Sequence, residues 1–291
     1  MTEQQERQKE EVARPAGLVS LATLCSRVTG LVREAVFAAL FATGGIADAC
    51  KFAFLIPNLL REFFAEGALS SAFVPTFAET RAKEGEQRAF QLAAHVLGTL
   101  AAATGLIVLL GILLAPAIVS LVAMDAPSHL RPLTVRLTRI MFPFLTLVAL
   151  AAVAMGVLNT YRRYFLPAVA PMFFNVTAVV GGLALLLTGA EPYTAVTVWA
   201  ALVVVGGALQ FLVQVPALRK VGMRGSLKPD LRLRDPALRQ IVRRMGPVVF
   251  SLAATNIMLV ITMALASREE GWASGLNYAF RLVHLPIGLV G

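Results

Sequence analysis

FQLAAHVLGTLAAATGLIVLLGILLAPAIVSLVA, residues 90–123, runs 34 positions without one Asp, Glu, Lys or Arg. About 20 apolar residues in a helix cross the roughly 30 Å hydrocarbon layer of a bilayer, so this stretch reads as a membrane span. Segments of the same character recur on both sides of it. Helices are expected at 16–43, 46–78, 90–123, 130–159, 166–188, 193–218, 237–267 and 272–291. The turns between them carry Gly44-Gly45, Gly85, Pro127 and Glu191-Pro192. The 291 residues are 57% hydrophobic and 15% charged, and the mean hydropathy is +0.74. A soluble domain exposes charges on roughly a quarter of its residues, and this chain lacks them. The fold class that follows is all-α, a polytopic transmembrane helix bundle.

The formal net charge is +9. In a soluble protein that would point to nucleic acid; here basic residues mark cytoplasmic loops and meet anionic headgroups, so membrane lipids are partners and nucleic acid is not. With the N-terminus inside, one set of turns holds Arg7, Lys9, Arg14, Arg81, Lys83, Arg88, Arg162, Arg163 and the basic run from Arg219 to Arg244. The opposite turns hold only Arg131 and Arg268. This asymmetry predicts a multi-pass protein of the inner membrane with a cytoplasmic N-terminus. Residues 1–15 are polar and unlike a signal peptide, and read as a cytoplasmic tail. Pro229 and Pro236 interrupt the basic run, which divides the chain into a six-helix lobe at 16–218, a basic linker at 219–236 and the start of a second lobe at 237–291. Ser20-Leu21-Ala22 is echoed by Ser251-Leu252-Ala253, and Lys51-Phe52-Ala53-Phe54 by Asn277-Tyr278-Ala279-Phe280, which hints at a parallel repeat. The last residues fall inside an apolar segment, so the second lobe is expected to be incomplete, with two helices.

Charges inside the first two apolar segments carry the functional signal. Arg27, Arg33 and Glu34 lie in the first; Asp48, Lys51, Arg61, Glu62 and Glu66 lie in the second. Each costs about 2.5–3.5 kcal/mol near the bilayer centre, so the set belongs in a wet cavity, in pairs or at the headgroups. Arg27 and Glu34 are seven apart and share a helical face, as do Glu62 and Glu66, while Pro57 is expected to break the second helix. Arg27, Arg33 and Arg61, with Arg281 as a fourth, suit an anionic substrate, because guanidinium groups bind phosphate with fixed, paired donors. The plainer account of any single charge is an interhelical salt bridge or a snorkelling side chain; Arg136 and Arg139 fit it as interfacial anchors. His95, His129 and His284 are scattered and no metal is expected. Cys25 and Cys50 read as packing residues, and Asn175-Val176-Thr177 as a glycosylation pattern made irrelevant by its apolar helix. There is no phosphate-binding Walker loop, nucleophile elbow or metalloprotease helix, hence no catalytic residue, no cofactor and no enzyme.

Residues Ser26-Arg27-Val28-Thr29-Gly30-Leu31-Val32-Arg33-Glu34 resemble the MurJ (MviN-type) lipid II flippases of the multidrug/oligosaccharidyl-lipid/polysaccharide exporter superfamily. So does the run from Pro57-Asn58-Leu59-Leu60-Arg61-Glu62 through Glu66-Gly67-Ala68 to Val74-Pro75, as do Leu158-Asn159-Thr160-Tyr161-Arg162-Arg163-Tyr164 and Tyr278-Ala279-Phe280-Arg281. The resemblance runs over nearly all of 16–291 and implies about fourteen helices in two lobes around a cavity that opens alternately to each side. It implies lipid II as substrate, moved from the inner to the outer leaflet for peptidoglycan synthesis, and the cell-wall synthesis machinery as a further partner. By position, Arg27, Arg33 and Arg281 would hold the diphosphate with Ser26 in support. Glu34, Asp48 and Glu66 would shape or gate the cavity by charge pairs, and Arg61 would sit at the gate. Glu34 stands where relatives often have Asp, and Glu62 where many have a second basic residue. Met245–Ser267 contains no Asp or Glu, so the sodium ligand of some relatives has no counterpart. The alternative is another exporter of the superfamily, for an oligosaccharide-lipid or a drug; a cavity with several arginines argues against organic cations.

Overall fold

A computed structural model describes the backbone of residues 3–63, 68–224, 228–231 and 233–290; within these, the side chains of 3–16, 18, 19, 68, 254, 255, 281 and 283–290 lie outside the description. The described residues form twelve helices: α1 (Glu3–Phe41), α2 (Gly45–Arg61), α3 (Ala68–Glu84), α4 (Glu86–Leu113), α5 (Ala115–Val122), α6 (Arg131–Met141), α7 (Phe144–Thr160), α8 (Phe165–Thr188), α9 (Pro192–Leu212), α10 (Val215–Lys220), α11 (Pro236–Ala266) and α12 (Trp272–Val290). The all-helical expectation holds, and the eight expected segments map onto these twelve. Prolines account for much of the subdivision. A proline lacks the amide hydrogen and its ring crowds the preceding turn, so Pro143 separates α6 from α7, and Pro116 and Pro216 open α5 and α10.

Two differences from the sequence reading have physical causes. The polar stretch expected as a tail is helical from Glu3 onward, its Glu, Gln, Arg and Lys being good helix formers. Pro57, expected to break the second helix, lies buried inside α2, and the helix changes type only at Glu62–Phe63, which are π-helical. Pro57 sits far enough along α2 for neighbouring helices to cover the backbone it disturbs.

α7 is the axis of the bundle. Phe144, Leu145, Val148, Ala149, Val153, Val157 and Leu158 are all buried, and α3, α4 and α9 pack around the helix. α8 lies between α1 and α9; at Gly182 a Cβ would fall 2.5 Å from Val36 of α1 and 2.8 Å from Trp199 of α9, so only glycine permits this approach. α11 packs on α3 and α12 on α2. The outward faces are apolar: Leu187 is 88% exposed and Phe250 80%. In water such faces would aggregate; in a bilayer they meet lipid tails.

Among the described residues, five segments are long and apolar enough to cross a membrane: Glu86–Leu113, Arg131–Thr160, Phe165–Thr188, Pro192–Lys220 and Pro236–Ala266. The protein is a multi-pass membrane protein. α1 and α2 carry embedded charges: Arg33, Glu34, Asp48, Lys51, Arg61 and Glu62 are buried or half-buried, while Arg27 is exposed.

Candidate functional site

A cavity of about 790 Å³ opens between α1, α2, α7, α8, α9 and α12. Its apolar wall includes Phe37, Phe54, Phe144, Phe174 and Trp199. Its polar wall carries Arg33, Glu34, Lys51, Arg61 and Glu62 with the amides Asn58, Asn175, Gln210, Gln214 and Asn277. Lys51, the pair Phe54 and Leu55, Asn58, and the pair Arg61 and Glu62 recur every three to four residues, a single stripe along α2 facing the cavity.

At the centre, one carboxylate serves two cations. Glu34 is 8% exposed; Arg33 Nη2 donates to its Oε1 at 2.7 Å and Lys51 Nζ to its Oε2 at 2.8 Å. Arg33 Nη1 donates to Asn175 Oδ1 at 3.1 Å, and Asn175 Nδ2 donates to the Ser26 carbonyl at 3.1 Å. Asn175 thus fixes the guanidinium of α1 against α8, and the guanidinium lies 5.0 Å from the centre of the Phe174 ring. The Lys51 ammonium stands 4.3 Å from the centre of the Phe37 ring and 5.3 Å from that of Tyr278. A ring face attracts a cation without neutralising it, by about 2 kcal/mol when water is excluded.

The expected site residues separate into three groups. Arg33, Glu34 and Arg61 line the cavity; Arg61 Nε donates to Asn58 Oδ1 at 3.1 Å. Ser26 contributes its carbonyl, through Asn175. Arg27, expected on the same face as Glu34, is exposed beside Val28 and is not among the cavity-lining residues. Glu34 pairs with Arg33 instead, a long side chain that reaches its neighbour across the 100° between consecutive helical positions. Asp48 is 4% exposed and away from the cavity: Oδ2 accepts from the Gly271 amide at 2.6 Å and Oδ1 from the Ser274 amide at 2.7 Å. It caps the start of α12 from α2 and ties the two helices at one end of the bundle. At the same end Arg268 meets Asp125 at 3.3 Å, and Ser267 Oγ accepts from the Asp125 amide at 3.1 Å. Glu66 and the side chain of Arg281 lie outside the described residues.

Three contributors escaped the sequence reading. Asn175, set aside as a glycosylation pattern, is a buried amide between Arg33 and Ser26. Gln214 is 1% exposed, and its Nε2 donates to the carbonyls of Gln210 and Ala151. The signal for both was an amide inside an apolar helix, where an unpaired one is costly. His95, read as scattered, belongs to a second charge cluster at the opposite end of the bundle.

There the segment between α10 and α11 docks along α4. Asp235 caps α11 by accepting from the Ala237 amide at 3.0 Å. Arg88 donates to both its oxygens, at 2.7 and 2.9 Å, and His95 Nδ1 lies 2.9 Å from Oδ2. The Lys228 amide donates to the Ala94 carbonyl at 3.2 Å, and the Asp230 amide to Thr99 Oγ1 at 2.9 Å. Burial pushes the Asp235 carboxyl upward, but hydrogen bonds from Arg88 and His95 and the Arg88 charge outweigh it and hold the group at about 2.

A sequence profile described as lipid II flippase MurJ matches residues 37–291. The lipid II flippase MurJ of Burkholderia cenocepacia is 40% identical over 280 residues, 94% of this chain and 53% of its own length. A probable lipid II flippase MurJ of Rhizobium tropici is 37% identical over 279 residues, 93% of this chain and 51% of its own. The chain spans about half the length of these curated relatives. A solved structure described as lipid II flippase MurJ in an inward closed conformation superposes with a TM-score of 0.76 at 26% identity, over 94% of this chain and 55% of the other. An inward-facing multidrug resistance MATE transporter of the MOP superfamily shares the fold at a TM-score of 0.60 and 16% identity, over 83% of this chain and 53% of its own. A cation-lined cavity in an apolar helix bundle and a family profile that covers the chain from Phe37 onward converge: the chain belongs to the MurJ lipid II flippase family.

Proposed function

We propose that the protein moves lipid II from the inner to the outer leaflet of the bacterial inner membrane, with its N-terminus in the cytoplasm. The observation that carries this reading is the pair of cations, Arg33 and Lys51, in a cavity enclosed by apolar helices. Lipid II joins a polyprenyl tail to a sugar–peptide head through a diphosphate. A guanidinium offers that diphosphate paired donors and keeps its charge where water is scarce. The amides of Asn58, Asn277, Gln210 and Gln214 offer both donors and acceptors to the head group, and the apolar outer faces accept the tail.

In this reading 16–218 is one lobe, 219–236 a linker and 237–291 the start of the other, and transport alternates access by moving the lobes about the cavity. Opening at the Asp48 end requires that carboxylate to release the amides of Gly271 and Ser274, which makes Asp48 a gate residue. Arg33 is the main diphosphate ligand and Arg61, at the gate, a second; through the family resemblance Arg27 and Arg281 complete the diphosphate set and Glu66 is a gate charge. The driving force is an ion gradient, the membrane potential or consumption of lipid II outside.

The test uses bacteria depleted of their own flippase and supplied with the native gene or with Arg33→Ala, and measures lipid II in the outer leaflet. Restored export by wild type and none by an equally inserted Arg33→Ala supports the mechanism. Normal export by the variant removes Arg33 from the diphosphate site. Failure of wild type with lipid II assigns the cavity to another anionic cargo of the superfamily.

A further inference from the structure

We infer that Lys51 binds the anionic group carried through the cavity, and that Glu34 occupies the position between Arg33 and Lys51 which a phosphate of the substrate takes by exchange. The inference rests on the reading of this cavity as a diphosphate site and adds a residue and a displacement step to it.

The geometry is that of a bridge. Each Glu34 oxygen holds one cation, Arg33 at 2.7 Å and Lys51 at 2.8 Å. Two non-bridging oxygens of one phosphate can meet the same pair of cations in the same way, and the second phosphate of the diphosphate adds a charge that a carboxylate lacks. Among the described side chains two cations share this one carboxylate, and a diphosphate brings two charges to the same pair. The ammonium is also built in rather than left to snorkel. Its side chain is 12% exposed, and the faces of Phe37 and Tyr278 flank it at 4.3 and 5.3 Å. Those rings hold the charge in place while leaving it available to an anion.

Position on α2 gives Lys51 a distinct role. It lies ten residues before Arg61 on the same cavity-facing stripe, a separation of about 15 Å along the axis. α2 therefore presents one cation at each end of the stripe, and the Lys51 end meets α12 through Tyr278. An anionic group leaving Arg61 finds Arg33 and Lys51 next, and Glu34 returns to them when it departs.

The native gene product, purified in detergent, is titrated with a long-chain polyprenyl diphosphate and with the corresponding uncharged polyprenol. Lys51→Met is expected to weaken diphosphate binding about tenfold, the loss of one charge-assisted hydrogen bond, and to leave polyprenol binding unchanged. Lys51→Arg restores most of the affinity. Glu34→Gln removes the competing charge and tightens diphosphate binding about threefold or more. Wild-type affinity in Lys51→Met, with weakened binding in Arg33→Ala, overturns the role of Lys51 and leaves the diphosphate site standing. If Lys51→Met does not fold, Glu34→Gln decides: unchanged or weaker binding overturns the exchange. A wild type that binds the diphosphate no better than the polyprenol overturns the underlying reading and this inference with it.

Discussion

Among the described residues, two buried carboxylates each serve two basic side chains, and their surroundings differ. Asp235, at the linker, accepts both arms of Arg88, the ring of His95 and the amide that opens α11. Its hydrogen-bonding capacity is filled, its side-chain partners belong to α4, and the backbone at Lys228 and Pro229 lies against Gly98 of that helix. Glu34, in the cavity, holds one cation on each oxygen, and both cations face open volume. A carboxylate whose partners are all spoken for is a fastener. One that bridges two cations at a cavity wall can be exchanged for another anion. The difference lies in what the surroundings leave available, not in the types of residue.

The sharpest way to break this contrast is Arg33→Ala, which is expected to reduce lipid II export by roughly a hundredfold or more, since a guanidinium contacts two oxygens at once. Its thermal stability should fall far less than its export, because Lys51 still pairs with Glu34. Asp235→Ala should show the reverse: a loss of about 2–3 kcal/mol of stability from the missing cap and the unpaired Arg88, read as a lower unfolding temperature, with export retained wherever the protein still inserts. Gly98→Val tests the same fastener from α4. A Cβ there would lie 2.5 Å from the Lys228 carbonyl carbon and the Pro229 nitrogen, so about 1–3 kcal/mol should be lost as the linker lifts. An unchanged melt for either variant would remove the linker from the stabilising core.

The smallest effect is a pH dependence. The Asp235 carboxyl is held at about 2, below its ordinary 3.8. A group depressed in this way contributes stability that is complete above the ordinary value and disappears as pH falls through the folded one. Between about pH 4 and pH 2 the wild type should therefore lose unfolding temperature more steeply than Asp235→Asn. Parallel curves would mean that the Arg88 and His95 contacts do not form in solution.

Much of the bundle was legible in the sequence because an apolar helix in lipid must satisfy its own backbone, which makes length and hydropathy nearly sufficient. The embedded charges of α1 and α2 were legible for the same reason, since lipid does not tolerate them. Which of them face the cavity was not. Spacing placed Arg27 with Glu34 on an ideal helix, but the reach of the Arg33 side chain and the amide of Asn175, 142 positions away, set the pairing. Asp48 looked like a charge-pair gate and is a cap on α12, because its partners are backbone amides that no residue type announces. The linker showed its basic run plainly, but its docking to Ala94, Gly98 and Thr99 depends on a close backbone approach that a pattern of charges cannot reveal.

Glu34 is tethered to the same helix as Arg33, one residue along. Tethering gives a competitor an effective concentration of about millimolar or more, independent of what the cytoplasm contains. A small free anion at ordinary cellular levels therefore gains little by exchanging with it, whereas a polyvalent headgroup on a lipid, confined to the membrane plane, arrives with both higher charge and higher local abundance. In the proposed exchange the carboxylate beside the arginine would act as a threshold, keeping the cavity from idling on stray phosphate and reserving it for cargo that comes in from the bilayer.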